Sequence, residues 1–176
     1  MELRTKTIER LRDALLKSGR RKSAVSSSAY RILAREGLLS KEENEALERV
    51  AAVAEAMFLV IAADEQVTDT ELAALRGAIR GLTGDVLSDD IVHLMIEQFA
   101  VKLRDEGRET RLREIAAATL DAGEAQNTFA LAAAVALADG QITDTESALV
   151  IELKSYFQLS DSEVQSILGQ LDEDAD

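Results

Sequence analysis

The chain has 176 residues, of which 47% are hydrophobic and only 3% aromatic, with no cysteine, no proline and a formal net charge of −13. This length can bury a sizeable core, and the absence of cysteine excludes disulfide frameworks, thiolate zinc sites and cysteine nucleophiles. Alanine dominates the apolar set and favours closely packed helices over strands, so we expect an all-α, single-domain bundle of about nine helices.

The charge is divided unevenly along the chain. Residues 1–36 carry ten Lys and Arg against four acidic residues, whereas residues 37–176 carry 29 acidic residues against ten basic ones. An acidic body repels the phosphates of nucleic acid and suits cations or basic protein surfaces. We therefore expect protein partners and no nucleic-acid partner.

The sequence shows no pattern that predicts export or membrane insertion. Its N-terminal residues are amphipathic and charged, unlike the apolar segment of a signal peptide. The longest uncharged apolar run, residues 129–138, is about half as long as a membrane-spanning helix. We expect a cytoplasmic protein without a transmembrane segment.

Residues 1–40 are predicted to form a basic helical extension. Ile8 and the leucines that follow it fall on one face of an amphipathic helix over residues 3–17, and a second helix is predicted over residues 24–35. The basic loop between these helices could contact phosphate or anionic lipid, although such runs are more often solvated connections.

The main domain is predicted to span residues 41–171. Ser40 and Glu43 have the spacing of a capping box and begin a long helix that ends near residue 63. Apolar residues at helical spacing then predict three further helices, over about residues 72–82, 91–103 and 112–120.

The second part of the domain repeats this order. An alanine-rich helix is predicted over residues 125–137, and together with the helix that ends near residue 63 it should form the centre of the bundle. A helix over residues 149–157 and a last one capped by Ser160 follow. The acidic residues 172–176 are predicted to be a disordered tail.

Two near-identical segments mark an internal repeat. Residues 63–71 read Ala-Asp-Glu-Gln-Val-Thr-Asp-Thr-Glu, and residues 138–146 read Ala-Asp-Gly-Gln-Ile-Thr-Asp-Thr-Glu, 75 residues further along. Each follows an alanine-rich run and precedes a helical pattern, so each is predicted to be a helix-loop-helix corner. The two halves suggest a pseudo-twofold repeat.

One interpretation of these corners is purely structural. In each copy a Thr and a Glu three residues apart have the form of a capping box, and the Asp between them would occupy the first helical position, where the helix dipole favours it. These residues are Thr68, Asp69 and Glu71 in the first copy and Thr143, Asp144 and Glu146 in the second.

The other interpretation is a metal site. Capping alone does not require an additional Asp in both loops, Asp64 and Asp139. If the corners met in space, their carboxylates would repel unless a cation lay between them, and oxygen ligands suit Ca²⁺, Mg²⁺ or Mn²⁺ better than Zn²⁺. The candidate ligands are Asp64, Asp69, Glu71, Asp139, Asp144 and Glu146. From the residues alone, both interpretations stay open.

The chain offers little for catalysis. It contains no glycine-rich phosphate loop and no Gly-x-Ser-x-Gly segment, and it has one histidine, His93. We therefore expect a non-enzymatic protein, with a metal-dependent hydrolase as the less favoured alternative. A further alternative is a metal-free interaction module whose acidic face binds basic partners.

The repeated pattern Ala-Asp-Gly-x-(Ile/Val)-x-x-x-Glu at the exit of an alanine-rich helix resembles the tellurite-resistance TerB family and the TerB-like domain of the membrane-anchored co-chaperone DjlA. The second copy matches throughout, whereas the first has Glu65 where the pattern has Gly. The resemblance covers roughly residues 45–170.

The resemblance implies an all-helical pseudo-symmetric bundle that binds metal through Asp64, Glu71, Asp139 and Glu146, with Asp69 and Asp144 as second candidates. It also implies a role in stress response, of the kind that gives resistance to tellurite and phage, through protein complexes near the inner membrane. Peripheral association with that membrane is the corresponding expectation for location.

Overall fold

The computed structural model describes residues 8, 12–13, 37–63, 67–119, 121–138 and 143–173. These ranges contain seven helices and no strand, which confirms the all-α prediction. In chain order the helices are α1 (Lys41–Ile61), α2 (Asp69–Thr83), α3 (Asp89–Glu106), α4 (Arg108–Ala118), α5 (Ala122–Ala136), α6 (Asp144–Tyr156) and α7 (Asp161–Glu173).

These seven helices correspond to the last seven that the sequence predicts. The first two predicted helices fall mostly outside the described residues, although Ile8, Arg12 and Asp13 are helical. The total of nine therefore stays a prediction. At the other end, α7 continues to Glu173, two residues into the predicted tail, and residues 174–176 lie outside the described part of the chain.

Helices α1 and α5 form the centre of the bundle, as their alanine-rich sequences predict. All residues of α1 from Val50 to Ile61 are buried, so this half of the helix is covered on every side. α1 and α5 pack extensively against each other, and α5 is buried over most of its length. Small alanine side chains permit this close approach between helix axes.

The remaining helices cover this central pair. α2 packs against both α1 and α5, and α6 packs against α5, α1 and α4. α3 contacts α1 through the rings of Phe58 and Phe99, whose centroids are 5.9 Å apart. The N-terminal extension reaches the same core, because Ile8 is buried against Gly81 of α2.

A buried ion pair joins α4 to α1. The guanidinium of Arg111 donates from Nε to Oε1 of Glu55 (2.6 Å) and from Nη2 to Oε2 of the same residue (2.9 Å). Its Nη1 donates to Oε2 of Glu106 at 2.6 Å. Glu55 is fully buried in the middle of α1 and Arg111 is 3% exposed, so the interior charge of Glu55 has a bidentate partner.

Candidate functional site

The first corner ends in a complete capping box. Thr68 is the N-cap of α2, and its backbone N–H and Oγ1 both donate to Oε2 of Glu71, at 2.7 and 2.8 Å. The backbone N–H of Glu71 donates in return to Thr68 Oγ1 at 3.2 Å. These bonds satisfy donors that a helix N-terminus otherwise leaves free.

The second corner is built in the same way. Thr143 is the N-cap of α6 and donates from its N–H and Oγ1 to Oε2 of Glu146, at 2.7 and 2.9 Å. The N–H of Glu146 returns a hydrogen bond of 3.2 Å to Thr143 Oγ1. The capping boxes that the sequence predicts in both corners are therefore confirmed.

Two further boxes of this kind lie at the surface and serve as a reference. Glu43 bonds Ser40 at the start of α1, and Glu163 bonds Ser160 at the start of α7. The side chains of Glu43 and Glu163 are only half-buried. Hydrogen bonds from the cap serine lower the pKa of both carboxyl groups, because these bonds stabilise the charged form.

The boxes in the two corners differ from this reference in burial and electrostatics. Glu71 and Glu146 are each 3% exposed, and their carboxyl groups interact directly with each other. Burial raises the pKa of Glu146, and the contact with Glu71 raises it further, against the lowering effect of the bonds from Thr143. The same capping chemistry therefore holds a carboxyl group that resists ionisation.

The structure places the six candidate ligands in three different situations. Glu71 and Glu146 come together, Asp69 and Asp144 are exposed at the first position of their helices, and Asp64 and Asp139 lie outside the described residues. Among the described residues, no group of three or more acidic or histidine side chains is placed to hold a metal ion. The described part of the site is thus a pair of carboxyl groups.

Comparison with known protein families identifies the family of this chain. A family model described as tellurite resistance protein TerB matches residues 49–168, which include both corners and more than half of the chain. The chain belongs to the TerB family. Neither the curated proteins nor the solved structures gave a match.

The pair in this TerB-family chain offers only carboxyl oxygens to a ligand. Both side chains that the structure brings together end in carboxyl groups, and carboxylate oxygens are the donors that Mg²⁺, Mn²⁺ and Ca²⁺ prefer. The single histidine, His93, is exposed on α3, and its Nε2 lies 3.4 Å from Oε1 of Glu97 on the same helix. The described pair therefore contains neither the histidine nitrogen nor the cysteine sulfur that is typical of zinc sites.

Within the ranges that the structure describes, no helix combines the length and hydropathy needed to cross a bilayer.

Reasoning from the sequence missed one charged element of the TerB fold, the ion pair of Glu55 and Arg111. A signal was present, because Glu55 is an acidic residue inside the otherwise apolar segment from Val50 to Ile61. A carboxylate in such a segment requires a partner when it is buried. The segment does not indicate which of the chain's 20 basic residues supplies that partner.

Proposed function

We propose that this TerB-family protein binds a divalent cation between its two acidic corners and acts without catalysis, through protein partners in stress response. The single observation that supports the proposal is the direct contact between the buried carboxyl groups of Glu71 and Glu146. The family to which the chain belongs is described by tellurite resistance. We therefore include in the proposal a role in resistance to tellurite or phage, in protein complexes near the inner membrane.

Capping does not account for this contact. The boxes at Ser40 and Ser160 begin their helices equally well while their glutamates remain half-buried and carry a lowered pKa. Glu71 and Glu146 instead bury two carboxyl groups against each other, so ionisation of both costs folding free energy. Some other group must offset this cost when both side chains are ionised.

A cation is the most direct way to offset it. Within the described residues, no ion pair joins Glu71 or Glu146 to a basic side chain, in contrast to Glu55 and its partner Arg111. Protonation of one carboxyl group would relieve the repulsion, but less completely as the pH rises above the pKa. A bound divalent ion would neutralise both carboxylates at neutral pH.

The capping bonds leave a defined set of oxygen atoms for such an ion. Thr68 and Thr143 donate only to the Oε2 atoms of the two glutamates, so capping leaves both Oε1 atoms available. Asp64 and Asp139, which precede the two caps in the sequence and lie outside the described residues, are the additional ligands of this proposal.

Asp69 and Asp144 are candidates because each lies two residues before one of the paired glutamates. They rank second because both are exposed. Mg²⁺ and Mn²⁺ complete their coordination with water around a few carboxylates, whereas Ca²⁺ takes six to eight oxygen ligands. These three ions fit the carboxylate set better than Zn²⁺ does. A pseudo-twofold relation between the halves would place equivalent ligands on both sides of the ion.

Calorimetric titration of chelator-treated protein with Ca²⁺, Mg²⁺, Mn²⁺ and Zn²⁺ tests the proposal. Saturable binding is expected in the wild type and in Glu43→Gln, which alters a surface box of the same form. It should be lost in Glu71→Gln and in Glu146→Gln, both of which keep a side chain that can cap. An absence of binding for all four ions would leave the corners as helix caps.

A second candidate function is a metal-free interaction module. It is favoured by the 29 acidic residues of residues 37–176 and by the exposure of Asp69 and Asp144 beside the caps. Binding of a basic partner to such a face weakens with ionic strength and is indifferent to chelators. Partner binding that requires the cation would support the first proposal. A hydrolase would show turnover that Glu146→Gln abolishes.

A further inference from the structure

Helix α7 carries an apolar face that the described helices cover only in part. None of its described side chains is fully buried, whereas each of the other six described helices buries at least three. Among the described helices, only α5 packs substantially against it. Four half-buried apolar residues at helical spacing form the face: Val164, Ile167, Leu168 and Leu171.

Helix α3 occupies the same place in the first half of the chain and shows what such a face requires. Ser88, the N-cap of α3, lies 72 positions before Ser160, which caps α7. At the same offset from the four residues of α7 lie four buried residues of α3: Val92, Met95, Ile96 and Phe99. α3 packs against α1, α2 and α4. Beside α7, the described helices supply no counterpart of α4.

The packing of the other helices relates the two halves in the same way. α1 packs against α2, α3 and α6, and α5 packs against α6, α7 and α2. Exchange of α1 with α5, α2 with α6 and α3 with α7 therefore converts one set of neighbours into the other. Of the described helices, α4 has no partner in this exchange. It precedes α5 in the chain and packs against α1, α3 and α6, so its counterpart would precede α1 and pack against α5, α7 and α2.

We propose that residues 24–35, the second helix that the sequence predicts in the N-terminal extension, are this counterpart and cover the half-buried face of α7. They lie outside the described residues, but their position in the sequence fits. Three residues link α4 to α5, and five link residue 35 to α1. Five residues span at most about 20 Å, so the end of the segment must lie close to the start of α1.

The pattern and charge of the segment suit the surface of α7. Val25, Ala29, Ile32 and Leu33 share one face of the predicted helix. Residues 14–36 carry six basic residues against one acidic residue, whereas residues 161–176 carry six acidic residues and no basic one. Contact between the two apolar faces removes both from water, and the opposite charges around them favour this pairing over others.

A described contact brings the extension to the required side of the body. Ile8 is helical and 8% exposed, and its Cγ2 lies 2.7 Å from the position of a Cβ at Gly81 of α2. α2 exchanges with α6, the helix that α4 contacts through Arg108 and Glu152, whose Nε and Oε2 are 3.6 Å apart. The extension thus contacts one of the three helices that a counterpart of α4 would contact.

Paramagnetic relaxation in the full-length protein, with chelator present so that the proposed metal site plays no part, tests the interface. The chain has no cysteine, so a nitroxide can be attached at Ser27→Cys alone, on the polar face of the predicted helix. It should broaden the amide signals of α7 and spare those of α4, which packs on α1. A mixture of labelled protein with unlabelled ¹⁵N-enriched protein should show no broadening of α7.

Equal broadening of α7 in the mixture would assign its face to a second copy of the chain. Unbroadened α7 signals in both samples would leave the face for another protein. Either result overturns the proposal.

A substitution in the segment provides a second measurement. Ile32→Asp should speed the hydrogen exchange of the α7 amides about tenfold or more, because burial of an isoleucine side chain contributes at least that factor. Ser27→Asp adds the same charge to the opposite face of the predicted helix and should leave this exchange unchanged. Equal effects of the two variants, or no effect of either, would contradict the interface.

Discussion

The carboxyl groups of Glu71 and Glu146 interact directly, although these residues are 75 positions apart in the chain and belong to the first turns of two different helices. Both side chains are almost fully buried. The contact joins the two copies of the repeated segment at their last residue, and it supplies the most direct tests of the proposed function.

Removing one charge of this pair should stabilise the metal-free protein. In Glu71→Gln the cap can persist, because Gln serves in capping boxes, while the repulsion with Glu146 disappears. With chelator present, we expect the free energy of unfolding to rise by about 1 kcal/mol, which corresponds to an increase of about 2–4 °C in melting temperature. The control Glu43→Gln removes a carboxylate with a lowered pKa and should lower the melting temperature. Shifts of the same sign in both variants would contradict this account.

The pH dependence of stability should differ between the wild type and Glu146→Gln. Because the folded-state pKa of Glu146 lies above its ordinary value of 4.5, the folded protein binds the proton more tightly than the unfolded chain does. Glu146 therefore reduces stability progressively as the pH rises from 4.5 through the folded-state pKa. Denaturant unfolding in chelator should show the advantage of the variant growing over this window. An advantage independent of pH would argue against a charge effect.

Disruption of the buried ion pair should be far more harmful than disruption of a surface pair. Arg111→Met leaves the fully buried Glu55 without its bidentate partner and should cost about 3–5 kcal/mol. Arg113→Met, which removes the exposed pair with Glu109 on the same helix, should cost less than about 1 kcal/mol. Urea denaturation measures the free energy of unfolding of both variants. An equal decrease in the two would show that Glu55 finds another partner when Arg111 is absent.

Two glycines of α2 should respond oppositely to alanine. A Cβ at Gly77 meets no atom within 4 Å, so Gly77→Ala should stabilise the helix by about 1 kcal/mol. A Cβ at Gly81 would lie 2.7 Å from Cγ2 of Ile8, so steric overlap should cancel the stabilisation in Gly81→Ala. In an Ile8→Ala background, where Cγ2 is absent, Gly81→Ala should stabilise the protein. The absence of stabilisation there would mean that the extension does not pack on α2.

The hydroxyl of Thr128 is the one buried side-chain polar atom, among those of the described residues, that has no hydrogen-bond partner. Thr128→Val should therefore stabilise the protein by about 1 kcal/mol, since it removes the desolvation cost of that hydroxyl. The control is Thr83→Val, where Oγ1 donates to the carbonyl of Ile79 at 2.9 Å. That variant should be destabilised. A loss of stability in Thr128→Val would indicate that the hydroxyl has a partner.

The sequence alone predicted the seven described helices, together with the first residues of the four that begin at a capping box. α4 and α5 begin at Arg108 and Ala122, whereas the apolar spacing predicted starts near residues 112 and 125. Thr68 and Glu71 are three residues apart, and so are Thr143 and Glu146, so each box forms within a single turn whatever surrounds it. The alanine-rich runs predicted the central helices for the same local reason, and the repeated motif predicted the TerB family that the comparison shows.

The tertiary structure alone decided which of four similar boxes are buried and which two meet. Capping is satisfied equally at Ser40, Thr68, Thr143 and Ser160, so the sequence around them cannot distinguish a surface cap from an interior one. The contact of Glu71 with Glu146 depends on how the helices pack, since α2 and α6 each pack against both α1 and α5. That packing arises from many weak apolar contacts between distant parts of the chain, and these leave no local pattern.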